Sequence, residues 1–159
     1  MNEILSLLAH DARRPVSELA AVLRRSEYEV EKELKALEKE RIIYGYNTLI
    51  DWNKAGENRV TAFIGVNLTP QRDVGFDAVA DRIARFDEVQ SVYLMSGNFD
   101  LLVVIEESSM QAIADFIAQR LATIEGVTST RSHFMLKTYK KNGLLVESKE
   151  RDRRLVVSP

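Results

Sequence analysis

Apolar residues recur every three to four positions through the first forty residues, and beyond Val60 they switch to short continuous runs separated by helical stretches. The first part therefore predicts helices, and the second predicts alternating strands and helices. Ile4, Leu5, Leu7 and Leu8 give a short opening helix its apolar face. Ser17 is expected to cap a second helix over Glu18–Leu23, with Leu19, Ala20 and Leu23 inward. Arg24-Arg25 forms a tight connection, and Ser26 opens a third helix, where Ser26 and Glu29 have the spacing of a capping box. Val30, Leu34 and Leu37, with the stem of Arg41, fall within about 40° of one another at about 100° per residue and predict one core stripe. The ridge opposite is Tyr28, Lys32, Lys35 and Lys39, flanked by glutamates on both sides. Tyr44–Asp51 alternates and predicts a strand, and the polar stretch Asn53–Arg59 predicts a linker.

From Val60 to Leu68 the pattern predicts a buried strand, then a helix over Asp73–Phe86 with Phe76, Val79, Ala80 and Ile83 on one face. Strands over Val89–Met95 and Leu101–Ile105 flank a Ser96–Asp100 turn and predict a hairpin. A helix over Ser109–Ile124 and a strand over Val127–Tyr139 complete the order β-α-β-β-α-β, the split βαβ or ferredoxin-like sandwich. The predicted fold class is thus α+β: a helix-turn-helix with a strand as wing, residues 1–52, a linker at 53–59, a ferredoxin-like domain at 60–141, and a tail at 142–159.

Composition narrows the function classes. The absence of cysteine excludes a disulfide framework and thiolate chemistry, and fits a reducing compartment. No apolar run is long enough to span a bilayer, and the start of the chain shows no signal-peptide pattern, so a soluble cytoplasmic protein is expected. The net charge of −2 is unevenly spread: −1 over residues 1–59, −5 over 60–136 and +4 over 137–159. An acidic middle disfavours nucleic acid there, because phosphate attraction dominates such binding. His10 and His133 have no metal-ligand spacing around them, so no metal or cofactor is expected.

Four short motifs in order carry a resemblance. Glu18-Leu19-Ala20 lies in the second helix; Leu37-Glu38 precedes Ile42-Ile43 and Gly45-Tyr46; Ser96-Gly97-Asn98-Phe99-Asp100 forms the turn; Gly126-Val127 precedes Thr130-Arg131-Ser132. Together they resemble the leucine-responsive regulator/AsnC family, the feast/famine regulators, over nearly the whole chain. The resemblance implies an N-terminal winged helix-turn-helix and a C-terminal ligand-sensing sandwich. It also implies homodimers, formed by paired sheets, that assemble to octamers, with an amino acid or similar metabolite bound between subunits near the glycine turn. The chain departs from the family pattern in a short leader, in Arg24 and Arg41 where the family has turn glycines, and in Glu33 where its recognition helix has arginine.

The implied function is a DNA-binding transcriptional regulator, not an enzyme, with double-stranded DNA as partner. Tyr28 and Lys32 are expected at base edges; Arg24, Arg25 and Lys35 at phosphates; Ser17, with Arg14, near the backbone. Against this stands a solvated helix face whose Glu31–Lys35 and Glu29–Lys32 pairs are each worth only about 0.2–0.5 kcal/mol. For the effector, Gly97 and Asn98 would allow close backbone approach, Asp100 would meet an α-ammonium, and Thr130 and Ser132 would orient the remainder. The plain alternative is a glycine hairpin in which Asp100 caps a backbone amide. Two other functions stay open: a metabolite sensor or assembly partner with weak or no DNA binding, and an enzyme similar to the sirohaem decarboxylases. Tyr139-Lys140-Lys141 and the basic segment at 149–154 are expected to be a solvated terminus, with assistance to DNA binding as the alternative, and Leu155–Val157 is expected to pack on a neighbouring subunit.

Overall fold

Local signals set the first three helices. In the computed structural model, which describes residues 2–69 and 75–146, α1 spans Glu3–His10, α2 Val16–Leu23 and α3 Glu27–Lys39. Ile4, Leu19, Ala20, Val30 and Leu37 are buried together, and Leu5, Leu7, Leu8, Leu23, Leu34 and Ile43 pack around them. The Ser26 hydroxyl accepts from the Glu29 amide, and the Glu29 carboxylate accepts from the Ser26 amide, completing the capping box.

Three expectations for this unit are corrected. Ser17 caps nothing: Pro15 is the N-cap, its carbonyl takes the Leu19 amide at 3.1 Å, and Ser17 lies inside the first turn. The proline's fixed φ, −68° with extended ψ, halts the chain two residues earlier than the serine suggests. Arg41 is exposed and outside the core stripe, because α3 ends before it and Ile43 takes that place. Tyr44–Asp51 forms no strand among the described residues. A strand requires a partner ladder, and this segment has none among the described residues.

Both helix ends close the same way. Arg24 (φ 54°) and Arg41 (φ 57°) are left-handed. Arg25 N–H reaches the Ala20 carbonyl and Arg24 N–H the Ala21 carbonyl; Ile42 N–H reaches Leu37 and Arg41 N–H reaches Glu38. These are Schellman closures with arginine where glycine is usual.

The chain divides into two compact units after Asp51. The second begins with a turn in which the Glu57 amide donates to the Trp52 carbonyl, and the Arg59 guanidinium lies 3.7 Å from the Trp52 ring centre. Next come β1 (Val60–Leu68), α4 (Asp77–Ala84), β2 (Val89–Leu94), β3 (Leu101–Glu107), α5 (Met110–Phe116), and β4 (Val127–Phe134). The sheet order is β2-β3-β1-β4, all antiparallel, which is the ferredoxin-like arrangement. Ala62, Ile64, Val66 and Leu68 of β1 and Leu101, Val103 and Ile105 of β3 alternate onto the face covered by α4 and α5. Val79, Ile83, Ile113 and Phe116 meet them there.

The helix expected over 109–124 is two pieces. Ser109 caps α5, which then widens into a π-helical turn at Ile117–Leu121, closed by the Ala122 amide on the Ile117 carbonyl. That turn sets Arg120 against the Phe86 and Phe116 rings and in an ion pair with Glu88. Residues 73–74 of the expected α4 lie outside the described residues. The last strand stops at Phe134 rather than Tyr139: its ladder with β1 ends at the Ala62–Phe134 pair, and beyond it one bond continues, from the Met135 amide to the Thr61 carbonyl at 2.9 Å. A small hairpin follows, β5 (Lys140–Lys141) and β6 (Leu144–Leu145). The tail from residue 147 onward, including Leu155–Val157, lies outside the described residues.

Candidate nucleic-acid interface and effector site

The outer face of α3 presents Tyr28, Lys32, Lys35 and Lys39 to solvent, and Tyr28 is 74% exposed. Lys35 is engaged: its ammonium lies 2.7 Å from Glu31, and this hydrogen bond raises its pKa. Among the described residues, Lys32, Lys39 and Arg24 have no ion pair. Their charge is therefore available, that of the two lysines along the outer row of α3 and that of Arg24 in the turn before it. Ser17 is exposed at the start of α2, and Arg14 lies 4.0 Å from Glu18.

Glu33 does not join that outer row. One carboxylate oxygen accepts from Arg25 Nη1 at 2.6 Å, and the other from the Asn2 amide nitrogen at 2.8 Å. The Arg25 bond first, and the Asn2 bond second, hold its pKa below the ordinary glutamate value. Asn2 in turn caps α1 through the Ile4 and Leu5 amides. Sequence reasoning missed both Asn2 and Glu33 as structural groups. Asn2 carried a signal, a capping residue one position before the opening apolar stripe. Glu33 carried none, because its partners lie on other elements.

In the second unit, the Ser96–Asp100 turn folds back on β1. The Asp100 amide donates to the Val66 carbonyl at 3.0 Å, and Asp100 Oδ2 accepts from the Leu68 amide at 2.7 Å. Half of that carboxylate is thus used in holding the turn. Gly97 has φ 147°, a region side chains avoid, and Gly97 and Asn98 are exposed. Phe99 lies against Gly65, where a Cβ would come within 2.8 Å of its ring. Thr130 and Ser132 stand opposite Val66 and Ile64, on the far side of β1 from Asp100. They therefore share the helix-side face at the edge of the sheet, about 10 Å from the turn's backbone across two strand spacings. Within one chain the five expected effector residues form two groups, with β1 between them.

Comparisons with known proteins follow the same two units. The family described as the Lrp/AsnC ligand binding domain matches residues 61–145. The HTH-type transcriptional regulator YugG of Bacillus subtilis, itself uncharacterized, is 47% identical over 158 residues, covering 99% of this chain and 95% of its own. The chain belongs to the Lrp/AsnC family. Another relative, the HTH-type transcriptional regulator LrpA of Pyrococcus abyssi, is 36% identical, covering 86% of this chain and 94% of its own. Among solved structures, the feast or famine regulatory protein from M. tuberculosis complexed with L-methionine is 28% identical with a TM-score of 0.69, covering 86% of this chain and 90% of that one. These Lrp/AsnC relatives are transcriptional regulators rather than enzymes, which sets the sirohaem-decarboxylase reading aside. No helix among the described residues is long and apolar enough to cross a membrane.

Proposed function

We propose that this Lrp/AsnC protein is a cytoplasmic regulator that reads double-stranded DNA with α3 and binds an amino acid through its second unit. The observation that carries the DNA reading is the exposed, unpaired Tyr28–Lys32 edge on α3 of a helix-turn-helix. Tyr28 and Lys32 lie near the N-terminal end of α3, the part of a recognition helix that meets base edges. Arg24, beside the turn, supplies a phosphate contact with its free charge, and Ser17 a backbone contact. Lys35 reaches phosphate only by exchanging Glu31, a solvent-exposed pair that is easily given up. Arg25 has a stronger competitor in Glu33.

Changing Lys32 to Ala in full-length protein tests this reading. Fluorescence anisotropy on its own upstream DNA should show weaker binding, with a salt slope shallower by about one phosphate contact if Lys32 also touches the backbone. Binding identical to wild type would remove α3's outer row from the interface.

For the effector, a regulator of similar fold binds L-methionine, and an amino acid suits the groups around the Ser96–Asp100 turn. The free oxygen of Asp100 would take the ammonium, and the exposed Gly97 and Asn98 backbone the carboxylate. Thr130 and Ser132, one strand away, would serve a second face of the ligand or a ligand shared with another subunit. The sheet supports a second copy: α4 and α5 cover one face only, and the other carries half-buried Phe63, Leu102 and Val104 beside exposed Tyr93. Paired sheets would make a homodimer, and dimers would build higher assemblies up to the octamer.

A further inference from the structure

The residue that departs most from the family's recognition helix sits at the junction of all three helices of the first unit. Glu33 rises from the middle of α3. Its two oxygens are divided between Asn2, which caps α1, and Arg25, which follows the left-handed Arg24 in the α2–α3 turn. Asn2 fixes the carboxylate from one side, so the guanidinium is drawn to a defined point rather than to a mobile acid. Neutralising Arg25 in this way has a consequence for a protein that binds phosphate. A cation in the turn of a helix-turn-helix stands where backbone contacts are made, and such contacts add affinity without sequence information.

We propose that Glu33 is a positioning residue that withholds Arg25 from the DNA backbone, lowering sequence-independent affinity and leaving discrimination to Tyr28 and Lys32. The assignment rests on the DNA-binding reading above. It explains how glutamate is tolerated in a recognition helix: the carboxylate is held by a cation and an amide of the protein itself and does not oppose phosphate. It also gives the Glu33–Arg25 pair a role that stability alone does not require, since the apolar cluster of Ile4, Leu19, Val30 and Leu37 already joins the helices.

The test is a double-mutant cycle in full-length protein: wild type, Glu33→Gln, Arg25→Ala and the double variant, titrated by anisotropy on a random-sequence duplex and on the protein's own upstream DNA. Glu33→Gln should raise affinity for the random duplex and steepen its salt slope by one phosphate contact. The loss of affinity between about 50 and about 200 mM salt then grows about threefold. The ratio of specific to random binding should narrow. Arg25→Ala alone should leave the random-duplex slope near that of wild type, and in the double variant the steepening should disappear. Circular dichroism melts identify any variant that has lost its fold, and Arg25→Ala, which retains the Asn2–Glu33 bond, keeps the cycle interpretable. A Glu33→Gln slope equal to wild type, or a weaker random-duplex affinity in that variant, would overturn the withholding role while leaving the DNA reading intact. Wild type that binds neither duplex in a salt-dependent way would overturn both.

Discussion

Arg24 and Arg41 occupy a backbone region that costs an L residue about 1–2 kcal/mol, at the two helix ends where the family has glycine. Each is held there by a pair of backbone bonds, so the closure geometry prevails over the side chain's preference. Glycine would remove the strain, but it would also widen the unfolded ensemble by about 0.4–1 kcal/mol. The first effect is the larger. Arg41 makes a clean trial, since it is exposed and has no ion pair among the described residues. Arg41→Gly should stabilise the first unit by about 0.5–1 kcal/mol in urea unfolding followed by helical signal. A variant less stable than wild type would mean that the arginine contributes something its exposure does not show.

At the scale of elements, α3 is held by its ends as much as by its stripe. The Glu29 carboxylate is kept below its ordinary value of 4.5, first by the Ser26 hydroxyl and then by the Ser26 amide. A depressed folded value means that the box contributes fully above the unfolded value and is lost as acid protonates Glu29 below it. Ser26→Ala should therefore cost about 1 kcal/mol at neutral pH and lose less as pH falls below 4.5. Stability profiles of the two proteins that stay parallel down to acid pH would show the box to be idle. This helix was legible in the sequence because its signals are local: a capping pair three residues apart and an apolar stripe every three to four. The ferredoxin-like order was legible for the same reason, strand by strand. What escaped depended on distant partners or on an unusual residue. Tyr44–Asp51 has no ladder among the described residues, the last strand leaves β1 at the Ala62–Phe134 pair, and the helix ends carry arginine in place of the glycine that would mark them. In the sites, the cationic row could be read from periodicity. The diversion of Arg25 to Glu33, and the separation of Asp100 from Thr130 and Ser132 by β1, required the fold.

For the whole molecule, the open face of the sheet is the surface on which we propose that two copies pair. Phe63 and Val104 stand opposite each other in the β1–β3 ladder, and Leu102 and Tyr93 in the β2–β3 ladder, all on the face that α4 and α5 leave bare. Phe99, folded over Gly65, extends the same apolar surface and explains why β1 carries a glycine at its centre. A two-fold interface uses one patch twice, so any substitution enters it in duplicate. Val104→Glu would place a carboxylate in each half of the interface, desolvated without a cation opposite, a cost of several kcal/mol per dimer. It leaves the buried helix-side core untouched, because Val103 and Ile105, not Val104, point there. The expected result in sedimentation velocity is a monomer with wild-type helical content at concentrations where the unaltered chain is dimeric or larger. DNA affinity should fall with it, since a monomer presents one α3 instead of two and loses the gain of binding two half-sites at once. A Val104→Glu protein that sediments like wild type would move the interface elsewhere on the chain, with the unladdered Tyr44–Asp51 segment the next surface to alter.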